Sequence, residues 1–245
     1  MVAGVQSLRE AAGAWKESRL KTASTRRYDP LKRAIDILAA LAVLIVFFPI
    51  IALAWLMVRS ILGSPALFWQ ARPGRDGKPF WLVKFRSMTN ACDARGVPLP
   101  DADRLTRFGR LLRATSLDEL PQFWNILKGE MSLVGPRPLL IDYLPLFTTE
   151  QARRHEVRPG LTGWAQVKGR NGIDWEQRLA IDVAYVDHRS LWLDVQIILR
   201  SIAMVVTGAN ISGEGSETMP AFKGSTTNSI GADWQRQGQP APPRN

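Results

Sequence analysis

The sequence predicts an α+β chain, mostly helical, tied to a membrane by one long apolar helix near its start. A small β-hairpin and surface amphipathic helices complete it. Three observations carry this prediction. Ile37 to Val58 is an uncharged run of 22 residues. Two aromatic-rich, strand-like runs flank Asp76-Gly77, a strong turn signal. Elsewhere apolar residues recur at helical spacing between Gly and Pro punctuation.

Residues 1–28 read as a basic flexible arm carrying Lys16, Arg19, Lys21, Arg26 and Arg27, suited to an anionic membrane surface. No secretory signal is expected, because the apolar run begins only near Ile37 and is too long for one. Asp29 as N-cap and Pro30 as first helical residue open the apolar helix, and Gly63-Ser64-Pro65 closes it. At helical rise the uncharged run is about 33 Å long, enough to cross a bilayer. Two features oppose crossing. Both flanks are basic, which favours both ends in the cytoplasm. Pro49 lies inside the run and frees the carbonyl of Ile45, so a bend there would return the chain to the side it entered. The residues leave both topologies open.

Residues 66–88 read as a hairpin, with Trp69, Phe80 and Trp81 assigned to the core and Lys84 and Arg86 on one face of the second strand. A loop follows over 89–101. Residues 102–113 are expected as one helix with an arginine face that ends at Arg113. Further helices are expected over 146–156, 175–188 and 191–206, the last lying in the core or in the membrane interface. Residues 208–245, rich in Gly, Ser, Thr and Pro, read as a mostly disordered tail.

The chemistry gathers between Arg113 and Arg137. Asp118 and Glu119 are adjacent carboxylates at the entry to a short helix that runs from Pro121 to a stop at Gly129. A helix N-terminus attracts phosphate, and carboxylates beside it call for Mg²⁺. The plain alternative is a capping box, Ser116-x-x-Glu119. Rigid or strand-borne cations surround the pair in sequence: Lys84 and Arg86, Arg113, Arg137 in Gly-Pro-Arg-Pro, and Arg158 in Arg-Pro-Gly-Leu-Thr-Gly. Together they point to a polyphosphate site.

Composition narrows the classes. A net charge of +10 on 245 residues requires an acidic partner. No nucleic-acid module accompanies it, so nucleic acid is not expected as a partner. Cys92 is the single cysteine, which excludes an internal disulfide framework, and His155 and His188 lack zinc-site spacing.

Lys32-Arg33-x-x-Asp36, Lys84-Phe85-Arg86-Ser87-Met88, Thr115 to Gln122, Gly135-Pro136-Arg137-Pro138 and Arg158 to Gly163 resemble, in this order, the bacterial sugar transferases called monotopic phosphoglycosyl transferases. The resemblance spans about Tyr28 to Gly208. It implies transfer of sugar-1-phosphate from a UDP-sugar to undecaprenyl phosphate with release of UMP, as the first membrane step of exopolysaccharide, O-antigen or glycoprotein assembly. It implies that Asp118 is the nucleophile and a Mg²⁺ ligand, and that Lys84, Arg113 and Arg137 contact phosphate. Glu119 is then left to orient Asp118, bind metal or relay a proton. It further implies that residues 29–63 form a re-entrant membrane helix hinged at Pro49, and that 64–207 form a catalytic domain on the cytoplasmic face of a bacterial inner membrane, beside anionic lipid. Family members often carry Ser-Pro at the hinge, where this chain has Phe48-Pro49. With no multi-helix region before Lys32, the short form of the family is the one resembled. The rival reading is a non-catalytic bitopic protein with a basic cytoplasmic domain that binds lipid or a partner. A glycosidase is not expected from adjacent carboxylates, since its own pair flanks the substrate about 5 Å or more apart.

Overall fold

The computed structural model describes residues 28–169, 173–207 and 221–224. The expected N-terminal arm, Tyr28 apart, and most of the expected tail lie outside these residues.

The apolar run forms two helices, α1 (Tyr28–Val46) and α2 (Phe48–Ile61), whose axes meet at 64°. The bend falls at Phe47 (φ −93°, ψ 6°), and Pro49 sits in the first turn of α2. A proline is welcome there because it has no N–H to leave unpaired. Asp29 is not an N-cap as expected. It lies inside α1 and its Oδ1 is 3.6 Å from Arg189 Nε. Among the described residues no single helix is long and apolar enough to cross a membrane. Leu38, Leu41, Ile45, Val46, Phe48, Leu53 and Leu56 are all exposed.

The first turns of α1 are docked into the rest of the chain. Buried Asp36 accepts from the Leu133 amide (3.1 Å). Lys32 Nζ reaches buried Asp194 (2.6 Å), which also accepts from the hydroxyls of Tyr28 and Tyr185 (2.7 Å each). Arg33 donates to the carbonyls of Ile126 (2.6 Å) and Leu127 (2.8 Å), filling acceptors that the end of a helix leaves open.

The hairpin forms as expected. Strands β1 (Leu67–Pro73) and β2 (Pro79–Phe85) pair antiparallel across a turn in which Asp76 and Gly77 both take positive φ. Phe80 is buried, while Trp69 and Trp81 are half-buried. The expected single helix over 102–113 is two, α3 (Asp101–Arg104) and α4 (Arg107–Ala114). Thr106 interrupts it by capping α4, its Oγ1 accepting from the Gly109 amide (3.0 Å). Next come a 3₁₀ turn (Leu117–Glu119) and α5 (Gln122–Lys128), which stops at Gly129 in the left-handed conformation expected there.

A second, parallel pair was not foreseen. Strands β3 (Ser132–Val134) and β4 (Gly160–Thr162) pair Ser132 with Gly160 and Val134 with Thr162. Gly160 is obligatory at this crossing, because a Cβ on it would meet the Gly135 nitrogen at 2.1 Å. The expected helix over 146–156 starts only at a capping box between Thr148 and Gln151. It reduces to α6 (Thr149–Ala152) between 3₁₀ turns at Ile141–Leu146 and Arg153–His155. Helices α7 (Trp164–Lys168), α8 (Trp175–His188) and α9 (Leu191–Val206) complete the chain. Trp192, Val195, Leu199, Ile202 and Val206 of α9 are exposed at the spacing of one helix face.

Within the expected tail, residues 221–224 are described. Phe222 is buried against Tyr143, Phe147 and Trp175, which recovers on the order of 2 kcal/mol of apolar burial.

Gly160→Ala is expected to lower stability by about 1–3 kcal/mol, since the clashing atom is backbone and cannot swing away. Thermal unfolding of the purified variant checks this.

Candidate active site

Asp118 is 6% exposed and lies in the middle of the 3₁₀ turn, with Glu119 next to it and half-buried. The turn begins at Ser116, which takes φ 56° and makes no side-chain cap, so the capping-box alternative is not realised. The charged neighbours of Asp118 are Glu119, Lys84, Arg113 and Arg137. Three of the five cations named from the sequence are therefore brought to the dyad.

Each arrives by its own route. Asn125 of α5 attaches the dyad segment to β2, accepting from the Val83 amide (3.1 Å) and donating to the Trp81 carbonyl (2.7 Å). This fixes Lys84, on the same strand, beside Asp118. Arg113, in the last turn of α4, donates from Nε to the hydroxyl of buried Ser87 (3.0 Å). Arg137 donates from Nη2 to Glu119 Oε1 (2.9 Å), with its side chain 47% exposed. Its loop is stiffened by two prolines and joined to the 158–163 loop through β3 and β4, where the Gly135 amide meets the Thr162 carbonyl at 3.0 Å.

The other two cations go elsewhere. Arg86 follows the last residue of β2, and its amide still meets the Ala66 carbonyl (2.9 Å). Its buried guanidinium donates to the carbonyls of Leu62, Gly63 (2.5 Å) and Ser64 (3.2 Å) instead of reaching the dyad. It therefore closes the end of α2. Arg158 donates to the Gly129 carbonyl (2.9 Å) and its charged neighbours are Arg33, Arg75, Asp36 and Asp29, away from the dyad. Sequence reasoning missed Ser87 and Asn125 as supports. Ser87 stood inside a quoted motif, whereas Asn125 gave no sign beyond being polar in an apolar segment.

Burial pushes the Asp118 carboxyl up to about 6, Glu119 adds to this, and Lys84, Arg113 and Arg137 oppose it. Burial likewise lowers Lys84, and Asp118 pulls it back. Glu119 holds Arg137 firmly protonated. Three cations against two carboxylates leave an excess of one positive charge, which suits an anionic diphosphate. For a metal the protein offers hard carboxylate oxygens at Asp118 and Glu119. Among the described residues no group of three or more His, Cys, Asp and Glu could hold one. That donor set fits Mg²⁺, which commonly takes one or two carboxylates and fills its sphere from phosphate and water. His155 is buried, bonded through Nδ1 to the Ala152 carbonyl (3.2 Å) and lowered by burial to about 3, a neutral core residue.

Residues 27–208 match the family described as bacterial sugar transferase. The chain is 52% identical to the sugar transferase EpsL of Bacillus subtilis, with 80% of this chain and 96% of EpsL covered. It is 43% identical to a UDP-glucose:undecaprenyl-phosphate glucose-1-phosphate transferase of Caulobacter vibrioides, covering 74% of this chain and 72% of that one. It is 38% identical to an undecaprenyl-phosphate galactose phosphotransferase of Salmonella typhimurium, covering 72% and 40%. The chain belongs to the bacterial sugar transferase family and is an enzyme of the transferase class.

The elevated Asp118 pKa has a consequence for stability. An acid raised to about 6 from near 3.8 favours the fold while protonated. That contribution is present below about pH 4 and is lost as pH rises through about 6. Asp118→Asn, neutral throughout, is therefore expected to be more stable than wild type by about 2–3 kcal/mol at pH 7.5, without nucleotide or metal. The difference should vanish near pH 4. Thermal unfolding at the two pH values checks the sign.

Proposed function

We propose that this enzyme moves sugar-1-phosphate from a UDP-sugar to undecaprenyl phosphate, releasing UMP, as a first membrane step of glycan assembly. The observation that carries it is a buried carboxylate, Asp118, facing Lys84, Arg113 and Arg137. The names of the relatives supply the donor and acceptor classes. An Asp118 carboxylate oxygen attacks the β-phosphorus of the UDP-sugar. The bond from that phosphorus to the bridging oxygen breaks, and UMP leaves with the electron pair. The sugar phosphate is now an acyl phosphate on Asp118. An oxygen of undecaprenyl phosphate then attacks the same phosphorus and releases Asp118 as a carboxylate. Anionic nucleophile and diphosphate repel each other unless charge is neutralised, which is the task of the three cations. Asp118 would be the protein ligand of Mg²⁺, which would supply further neutralisation of the diphosphate. Arg137, tied to Glu119, is placed to receive negative charge developing on the leaving UMP.

The acceptor is a lipid, and we read the bent pair α1–α2 as a re-entrant hairpin in the cytoplasmic leaflet of the inner membrane. Ala40, Ala54 and Val58 pack against the rest of the chain, whereas large apolar residues from Leu38 to Leu56 are exposed on its other faces. The uncharged parts of its arms reach only about 15 Å and 16 Å, and neither crosses a hydrocarbon core of about 30 Å. The exposed face of α9 suits the interface beside it.

Two outcomes are expected. Purified enzyme with undecaprenyl phosphate, Mg²⁺ and a panel of UDP-sugars releases UMP with at least one of them. Asp118→Asn and thorough chelation each reduce this to background, and mass spectrometry with the donor alone finds a phospho-sugar on the Asp118 peptide. Turnover by the asparagine variant would remove Asp118 as nucleophile. Separately, after Cys92→Ser, cysteines placed at Ser18 and at Ser64 should both resist an impermeant thiol reagent applied outside intact cells. Labelling of the first alone would establish a crossing helix.

A further inference from the structure

The segment Gly135-Pro136-Arg137-Pro138 has two residues without an N–H, so backbone bonds can hold it only sparsely. Bonds with the facing loop end at the Pro136 carbonyl, which accepts from the Gly160 amide (3.0 Å). Beyond it, two consecutive carbonyls are each met by a guanidinium. Arg154 Nη2 donates to the Arg137 carbonyl (2.7 Å), and Arg72 Nη1 donates to the Pro138 carbonyl (3.2 Å). Both arginines are themselves fixed. Arg154 donates from Nε (3.1 Å) and Nη2 (2.7 Å) to Asp182 Oδ2, and Arg72 donates from Nη2 to Gln70 Oε1 (2.6 Å).

The side chains of Arg154 and Asp182 are 1% and 4% exposed, so neither is open to a ligand. A pair this deeply buried is weak support for stability, since apolar residues of similar volume often serve as well. What apolar residues cannot do is seat two donors of a guanidinium on a carboxylate while one of them also holds a backbone carbonyl. Asp182 comes from α8, Arg154 from the turn after α6, and Arg72 from β1, so three separate elements converge on the backbone that carries Arg137.

The geometry points to Arg154, Asp182 and Arg72 as positioning residues that set where the Arg137 guanidinium stands relative to Glu119 and the transferred phosphate. None of the three touches the reacting atoms; they act through Arg137. The inference rests on the reaction proposed above for its kinetic reading, though not for its binding reading.

A double-mutant cycle separates positioning from plain structural support. Arg154→Lys keeps the charge that Asp182 needs but loses the planar fork. With full-length enzyme in lipid nanodiscs, it is expected to lower kcat roughly tenfold or more while the protein remains folded. In an Arg137→Lys background the same change is expected to cost less than about twofold, because the group it positions is already gone. Losses that multiply as independent effects, or wild-type kinetics for Arg154→Lys, would overturn the inference. If Arg154→Lys does not fold, Arg72→Gln, at a half-buried site, runs the same cycle: non-additive losses support the inference and independent ones overturn it. UDP affinity, measured on the same proteins without turnover, is expected to show the same non-additivity. A wild-type enzyme that released no UMP would defeat the reaction and leave the affinity cycle to decide this point.

Discussion

The docking of the first two turns of α1 governs the geometry of the whole molecule. One buried carboxylate, Asp194, takes Lys32 and two tyrosine hydroxyls, while Asp36 takes a backbone amide and Arg33 two carbonyls. Their partners lie on α5, on β3 and on α9. The same α5 follows the dyad, and the same β3 leads into the Arg137 loop. A shift of α1 would therefore drag the site with it. Charged groups held this deep cost desolvation, and their return is a fixed geometry more than net stability. For a helix whose next turns are wholly apolar, that geometry decides how the remainder is presented.

At the dyad the same trade appears in sharper form. Asp118 is placed where its charge is disfavoured, and then surrounded by cations that restore part of the loss. None of these cations is left to swing freely in search of a partner. Ser87 holds Arg113, Glu119 holds Arg137, and Asn125 sews Lys84's strand to the dyad's helix. Ordering is done before a ligand arrives, which lowers what binding must supply. The cost is borne by the folded chain, the usual exchange between activity and stability.

What was legible in the sequence was what is local. The Asp76-Gly77 turn, the stop at Gly129, the bend near Pro49 and the acid pair in its entry turn all follow from backbone preferences of a few neighbouring residues. The charge partners Lys84, Arg113 and Arg137 could be named because stiff motifs carry them. Arg86 and Arg158 stand in equally suggestive motifs, yet the carbonyls at the end of α2 take the one and the Gly129 carbonyl takes the other. That pairing joins strands of three residues, too short to show a period. The broken helix over 102–113 turned on one threonine and on Gly109, where a Cβ would meet the Ser87 carbonyl oxygen at 1.8 Å. Phe222 stands in a polar tract, and only the hollow it fills explains it. Such facts reside in tertiary contacts that composition and spacing do not encode.

The span of the α1 contacts also bears on how the polypeptide is born. Tyr28 waits for Asp194, 166 positions later, and Arg33 waits for Ile126, 93 positions later. At ribosomal speeds of about 5–20 residues per second, the completed bent pair exists for roughly 7–27 seconds before Asp194 has been made. During that interval Tyr28 and Lys32 have no partner on α9. On the membrane reading proposed above, this order of synthesis favours delivery of the bent pair to lipid while translation continues, with the body assembling afterwards on a helix already in place.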